Sequence, residues 1–195
     1  MQVRVFDNVV VATKQRQIYE FLTAPGWVYG WKSQPQRDLF AFWHKHFAGA
    51  TSADHEGVAQ YDCAEELKRV APLLHGFWEH LNKGVLAGHV LTRCYANATP
   101  YGADGTLHTD TINPDGWTSI YYPHERWSPS WGGETVIFNK EESDIIGTCY
   151  PKPNRLFVFP GIMPHVGRGV ARICPVMRVI LVYKTLWSLP ATKPS

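Results

Sequence analysis

Beyond Gly88 the chain is written in short apolar runs. They are His89–Tyr95, Thr118–Tyr122, Thr135–Phe138, Asp144–Cys149, Leu156–Phe159 and Val176–Lys184, rich in Val, Ile, Tyr and Phe and set off by Gly, Pro, Asn and Asp. β-Branched and aromatic residues fit a pleated, half-buried surface, and the residues between the runs are those that make turns. Many short strands without intervening helices indicate a sandwich, a jelly roll or a small barrel.

The first part of the chain reads differently. Val3–Phe6 reads as a strand, and Ile18, Phe21 and Leu22 as the inner face of a short helix. Leu67, Val70, Ala71, Leu74, Phe77, Trp78 and Leu81 recur at three- and four-residue steps, which predicts one helix. Asp62 and Glu65 form a capping-box pattern at its start, and Gly84 supplies a stop. The expected architecture is mainly β with flanking helices: a mixed part over residues 1–88 and a roll over about 89–186, in one domain of 195 residues. The tail from Leu189 reads as a loose end.

Composition narrows the partners. The chain is 45% hydrophobic and 18% charged, as globular proteins are. Lys and Arg number 19 against 17 Asp and Glu, a net charge of +2, so no nucleic-acid partner is expected. No apolar run approaches the roughly 18 residues of a membrane span, and Val9–Ala12 is too short for a signal-peptide core. The four cysteines show no CxxC pair, and idle thiols in a reducing compartment make a cytoplasmic location the expectation.

Among nine histidines, His108 is the most informative, in His108-Thr109-Asp110. Side chains at i and i+2 of an extended segment point the same way, so an imidazole and a carboxylate can face one metal. His165, in Met163-Pro164-His165-Val166, could complete the set from another strand. Two His and one carboxylate on one face of an iron leave three positions open, the arrangement of non-haem Fe(II) oxygenases. Arg178 opens the apolar run Val179–Tyr183 and needs an anionic partner, either a structural acid or the carboxylate of a small molecule. Tyr95 and Tyr122 could add hydroxyl donors beside it.

Residues from about Leu91 to Thr185 resemble the catalytic core of the 2-oxoglutarate- and Fe(II)-dependent oxygenases, in particular the prolyl 4-hydroxylase-like branch. The pieces that carry the resemblance are Cys94-Tyr95, His108-Thr109-Asp110, Ile120-Tyr121-Tyr122, Trp127 with Gly132-Gly133-Glu134-Thr135, Arg155–Phe159, Pro164-His165 and Arg178. They stand in family order. The resemblance implies a double-stranded β-helix, the cupin-like jelly roll, with Fe(II), 2-oxoglutarate and O2 as cofactor and cosubstrates. It implies His108, Asp110 and His165 as iron ligands, Arg178 and Tyr122 at the distal carboxylate of 2-oxoglutarate, and Tyr95 lining the cosubstrate pocket. Val182 departs from the pattern, standing where the hypoxia-sensing branch has a hydroxyl residue. The expected reaction is hydroxylation of an aliphatic carbon in a small molecule, an amino acid or a prolyl peptide, with release of succinate and CO2.

Trp117, Arg126 and Glu134 flank the matched strands and are candidate substrate contacts. The aromatic stretch Trp27–Tyr61 is read either as packing over one sheet or as a mobile cover, and its His44 and His46 as part of an aromatic face or lid segment rather than a second metal site. Two other readings stay open: a catalytically silent roll that senses a metal or carboxylate ligand, and a zinc-dependent enzyme on a cupin-like roll.

Overall fold

The computed structural model describes residues 3–33, 35, 37, 39–51 and 61–187. The expected loose tail from Leu189 lies outside them. Ten strands and three α-helices follow in the order β1 (Arg4–Asp7), α1 (Ala12–Thr23), β2 (Val28–Trp31), β3 (Phe42–Gly49), α2 (Ala64–Val70), α3 (Pro72–Asn82), β4 (His89–Thr99), β5 (Gly116–Tyr122), β6 (Thr135–Phe138), β7 (Ile145–Cys149), β8 (Arg155–Pro160), β9 (His165–Gly167) and β10 (Arg178–Trp187). A seven-stranded sheet has the order β1-β8-β5-β10-β4-β3-β2, and a three-stranded sheet the order β7-β6-β9. The fold is the double-stranded β-helix.

Strand alternation divides the interior into two cores. On β10, Val179, Leu181 and Tyr183 face the helices, where they join Leu67, Leu74, Phe77, Trp78 and Leu81. Ile180 and Val182 face the small sheet, with Ile120, Tyr122, Phe157 and Phe159. Phe77, Tyr121 and Tyr183 are fully buried, and each such side chain contributes roughly 1.5–3 kcal/mol of transfer free energy. The Tyr183 hydroxyl donates to the Leu74 carbonyl at 2.9 Å, tying the central strand to α3.

Expectations for two segments need correction. The single helix over 67–81 is two, because Pro72 holds the preceding residue out of the helical region: Ala71 lies at φ −141°, ψ 74°. The capping box does not form either, since the Asp62 carboxylate accepts from the Ala64 N–H at 3.0 Å while Cys63 occupies the cap position. The second correction concerns Trp27–Tyr61. Within it β2 and β3 extend the large sheet beyond β4, and residues 52–60 lie outside the described set. β3 pairs along β4 from Trp43 opposite Ala98 to Gly49 opposite Arg93, so over its strands the stretch is part of the sheet itself.

Candidate active site

The site begins with a backbone pairing. His108 and His165 exchange both backbone hydrogen bonds, at 3.1 and 2.9 Å, in an isolated antiparallel bridge. That brings the two rings to 4.5 Å between centroids. Two residues on, the Asp110 N–H donates to the Gly161 carbonyl at 2.7 Å, which draws the carboxylate to the same spot. Gly161 permits the approach, because a Cβ there would come within 2.8 Å of the Thr111 methyl.

The donor set fits a metal ion. Nδ1 of His108 lies 2.7 Å from the Thr106 carbonyl, and Nδ1 of His165 lies 2.9 Å from the Met163 carbonyl. A carbonyl only accepts, so both rings carry their proton on Nδ1 and present a bare Nε2. Those two atoms face Asp110, at 3.5 Å from Oδ1 and 3.3 Å from Oδ2. One donor atom from each residue lies within 4.8 Å of the others, and no other such group occurs among the described residues. Donors about 2.1 Å from a shared ion sit about 3 Å apart at right angles, close to what is present. Two neutral imidazoles with one carboxylate on one face suit Fe(II) and leave the opposite face open.

Electrostatics agree. Burial alone would push the Asp110 carboxyl upward, yet the Lys184 ammonium beside it outweighs that and holds the group well below the usual carboxylate range. Lys184 is a residue that the sequence reading did not single out. Its Nζ contacts Asp110 Oδ2 and donates to the Thr118 hydroxyl at 3.0 Å, while that hydroxyl donates to Oδ2 at 2.6 Å. The signal available in the sequence was parity: Lys184 lies two residues beyond Val182 and so shares the inward face of Arg178, Ile180 and Val182.

Arg178 opens β10 on that same face and is only 3% exposed. Its Nε donates to the Gly133 carbonyl at 2.6 Å and its Nη2 to the Thr135 hydroxyl at 2.8 Å. The guanidinium lies 5.5 Å over the Tyr122 ring, whose hydroxyl meets Thr135 Oγ1 at 2.8 Å. Among the described residues no carboxylate is within ion-pair distance of it. A cavity lined by Tyr95, Thr135, Ile180 and Val182 joins Arg178 to the metal-ligating group. Thr135 brings to the cavity a hydroxyl that Val182 does not.

The three candidate substrate contacts are not brought to this cavity. Trp117 precedes Thr118 on β5 and so faces the other way, packing with the helix-side core beneath Arg4 and against His89. Arg126 is exposed on the loop after β5. Glu134 alternates out of register with the inward Thr135, and its carbonyl accepts the Arg168 N–H at 2.9 Å. What lines the cavity instead, beyond the metal group and Arg178, is Ser33, Phe42, Asn97 and Thr99. Asn97 continues into a wall: its side-chain oxygen is 2.7 Å from His44 Nδ1, and His44 stacks on Trp31 with centroids 3.9 Å apart. His44 and His46 are therefore part of an aromatic face, one of the two alternatives read from sequence.

Comparison with known proteins points to one family. The 2OG-Fe(II) oxygenase superfamily model matches residues 94–184, from β4 through Arg178 to Lys184. Over those residues, just under half of its length, the chain is similar to the 2OG-Fe(II) oxygenases. Three solved structures share the fold of this oxygenase. A prolyl hydroxylase from Trichoplax adhaerens, in complex with a hypoxia inducible factor peptide fragment, is 17% identical with a TM-score of 0.60, covering 95% of this chain and 83% of that one. A prolyl-4-hydroxylase from Pseudomonas putida is 17% identical with a TM-score of 0.59, over 96% and 93%. HygX from Streptomyces hygroscopicus, with nickel, 2-oxoglutarate and hygromycin B bound, is 9% identical with a TM-score of 0.61, over 94% and 82%. No curated relative matches the chain by sequence. The oxygenase is thus an enzyme that uses Fe(II) and 2-oxoglutarate, in place of the silent sensor and the zinc enzyme left open above. No helix among its described residues is long and apolar enough to cross a membrane.

Proposed function

We propose that the protein hydroxylates an aliphatic carbon of a small molecule, an amino acid or a prolyl peptide, with His108, Asp110 and His165 as iron ligands and Arg178 as the anchor of 2-oxoglutarate. The observation that carries this reading is Arg178, a buried guanidinium without an acidic partner among the described residues, on the cavity that the two-His, one-Asp group also lines. A buried charge is costly unless it is paired, and a dicarboxylate cosubstrate supplies the pair.

When bound, Fe(II) and 2-oxoglutarate activate O2 for oxidation of a substrate C–H bond, with succinate and CO2 released. The chain's own groups do the positioning. Gly133 and Thr135 spend two of Arg178's donors and fix the plane of its fork, leaving the remaining N–H groups for a carboxylate. Each such charge-assisted bond is worth roughly 1.5–3 kcal/mol. Tyr122 backs the same group through its ring and through Thr135, and Ile180 and Val182 keep the floor of the cavity dry. Beyond Arg178 and the metal-ligating group, the cavity wall offers Ser33, Asn97 and Thr99 to the substrate.

An anaerobic titration of metal-free protein with Fe(II) and then 2-oxoglutarate tests the assignment through the weak visible charge-transfer band of the chelate. The band should require both additions, weaken in Asp110→Ala and need at least tenfold more 2-oxoglutarate in Arg178→Ala. Unchanged 2-oxoglutarate affinity in Arg178→Ala would sink the reading. Succinate release across amino acids, prolyl peptides and other metabolites then selects the substrate.

A further inference from the structure

We propose that Lys184 is a positioning residue for the metal carboxylate, and that together with Thr118 it ties down Oδ2 of Asp110 so that Oδ1 is the oxygen offered to the ion. The inference rests on the reading of His108, Asp110 and His165 as the metal ligands.

The geometry begins in the sheet. On the β10–β5 ladder Lys184 stands directly opposite Thr118, so the two side chains rise from the same face at adjacent points. Their hydrogen bonds run in one direction. The ammonium donates to the Thr118 oxygen, and the Thr118 hydroxyl donates onward to Asp110 Oδ2. The ammonium also contacts Oδ2 directly. One carboxylate oxygen therefore receives two donors from the protein, while Oδ1 receives none and faces His108 Nε2 at 3.5 Å. A carboxylate held by one oxygen cannot swing its other oxygen away, and it is biased toward monodentate binding.

Lysine is a costly choice at such a place. Its side chain is 12% exposed, and an ammonium on an inward strand position pays desolvation that a leucine would not. A bystander lysine would turn its flexible stem toward solvent. A lysine acting as a resident competitor would occupy the ion's place and weaken metal binding. Those two alternatives and the positioning role predict different signs for the same measurement. Groups that orient metal ligands typically change metal affinity by 10–100-fold when removed.

The experiment is a Co(II) titration of metal-free protein, read by the visible d–d absorption and by calorimetry, with folding checked by circular dichroism. Lys184→Met keeps the length of the side chain and removes its charge and donors. Thr118→Val removes the relay, and Thr118→Ser restores the hydroxyl. Lys184→Met and Thr118→Val should each weaken Co(II) binding by 10–100-fold and alter the d–d band, as Asp110 gains freedom to bind through both oxygens. Thr118→Ser should stay within about threefold of the parent with the parent spectrum. Should Lys184→Met fail to fold, the contrast between Thr118→Val and Thr118→Ser decides alone, and equal affinity in those two overturns the proposal. Co(II) binding by Lys184→Met at parental strength marks a bystander, and tighter binding marks a competitor; either result overturns it. His108→Ala separates this failure from failure of the site reading, since Co(II) binding unaffected by His108→Ala would mean that the ion sits elsewhere.

Discussion

At the scale of single residues, the site was half legible. His108, Asp110, His165 and Arg178 carry residue types whose chemistry is rare in apolar surroundings, and the fold brings the four to one cavity. Lys184 escaped because a lysine near a strand end ordinarily reads as a solvated terminus, and only its parity with Arg178 says otherwise. Trp117 was misassigned through the same rule, since it lies one residue from the inward Thr118 and must point away. Gly133 is a third case, with its role hidden until the backbone is seen. It sits at φ +83°, and a Cβ there would lie 3.0 Å from Arg178 Cδ and 3.2 Å from the Trp127 ring. Gly133→Ala should thus act twice. The left-handed backbone costs about 1 kcal/mol of stability, and the displaced Arg178 should weaken 2-oxoglutarate binding about tenfold. Thermal denaturation with and without 2-oxoglutarate measures both, and an undiminished stabilisation by the cosubstrate would refute the second effect.

At the scale of elements, the strands of the roll were readable and the strands that widen it were not. β5, β6, β8 and β10 announce themselves by runs rich in Val, Ile, Leu, Tyr and Phe. β3 reads Phe-Trp-His-Lys-His-Phe-Ala-Gly, in which the cation and the two imidazoles mask a buried strand. The burial of Lys45 has a structural reason. It rises from the outer face of β3, lies 4.8 Å over the Trp27 ring, and its Nζ donates to the Leu22 and Ala24 carbonyls. Those are the last carbonyls of α1, which otherwise has no basic residue in its final turn. One strand therefore caps a helix distant in sequence, an arrangement no local pattern encodes. Lys45→Met, which keeps the stem over Trp27 but loses the bonds, should cost about 1–2 kcal/mol in urea unfolding. Amide exchange should quicken selectively in the last turn of α1. Uniform acceleration across the sheet would show instead that Lys45 supports the whole fold.

At the scale of the molecule, the two cores bury not only apolar residues but imidazoles, and that sets how the fold answers to acid. His44, His89 and His124 are each pushed down to about 4, in every case chiefly by burial, with Arg93, Arg4 and Arg178 respectively adding repulsion. His124 shows the consequence most directly. Its Nε2 accepts the Val179 N–H at 3.0 Å, next to Arg178, and a protonated ring could not accept. In the unfolded chain these imidazoles titrate near 6.5. Between about pH 6.5 and 4 the unfolded state therefore binds protons that the native state refuses, and stability falls as pH drops through that window. Above it the contribution is fully present. Asp7 does not blur the result, because hydrogen bonds from Arg155 and Lys152 hold its carboxyl to about 2, so its stabilising share disappears only in stronger acid. In the metal-free site His108 is shifted up and His165 down, so the two act in opposite directions. By pH 5 each of the three buried rings should remove roughly 1–2 kcal/mol. Urea unfolding of metal-free protein at pH 7 and pH 5 reads the sum. His124→Gln, which keeps a side-chain acceptor for Val179 and cannot titrate, should recover roughly 1–2 kcal/mol of the loss. A midpoint that does not move between pH 7 and pH 5 would mean that the buried rings are hydrated or already charged, against the packing that places them.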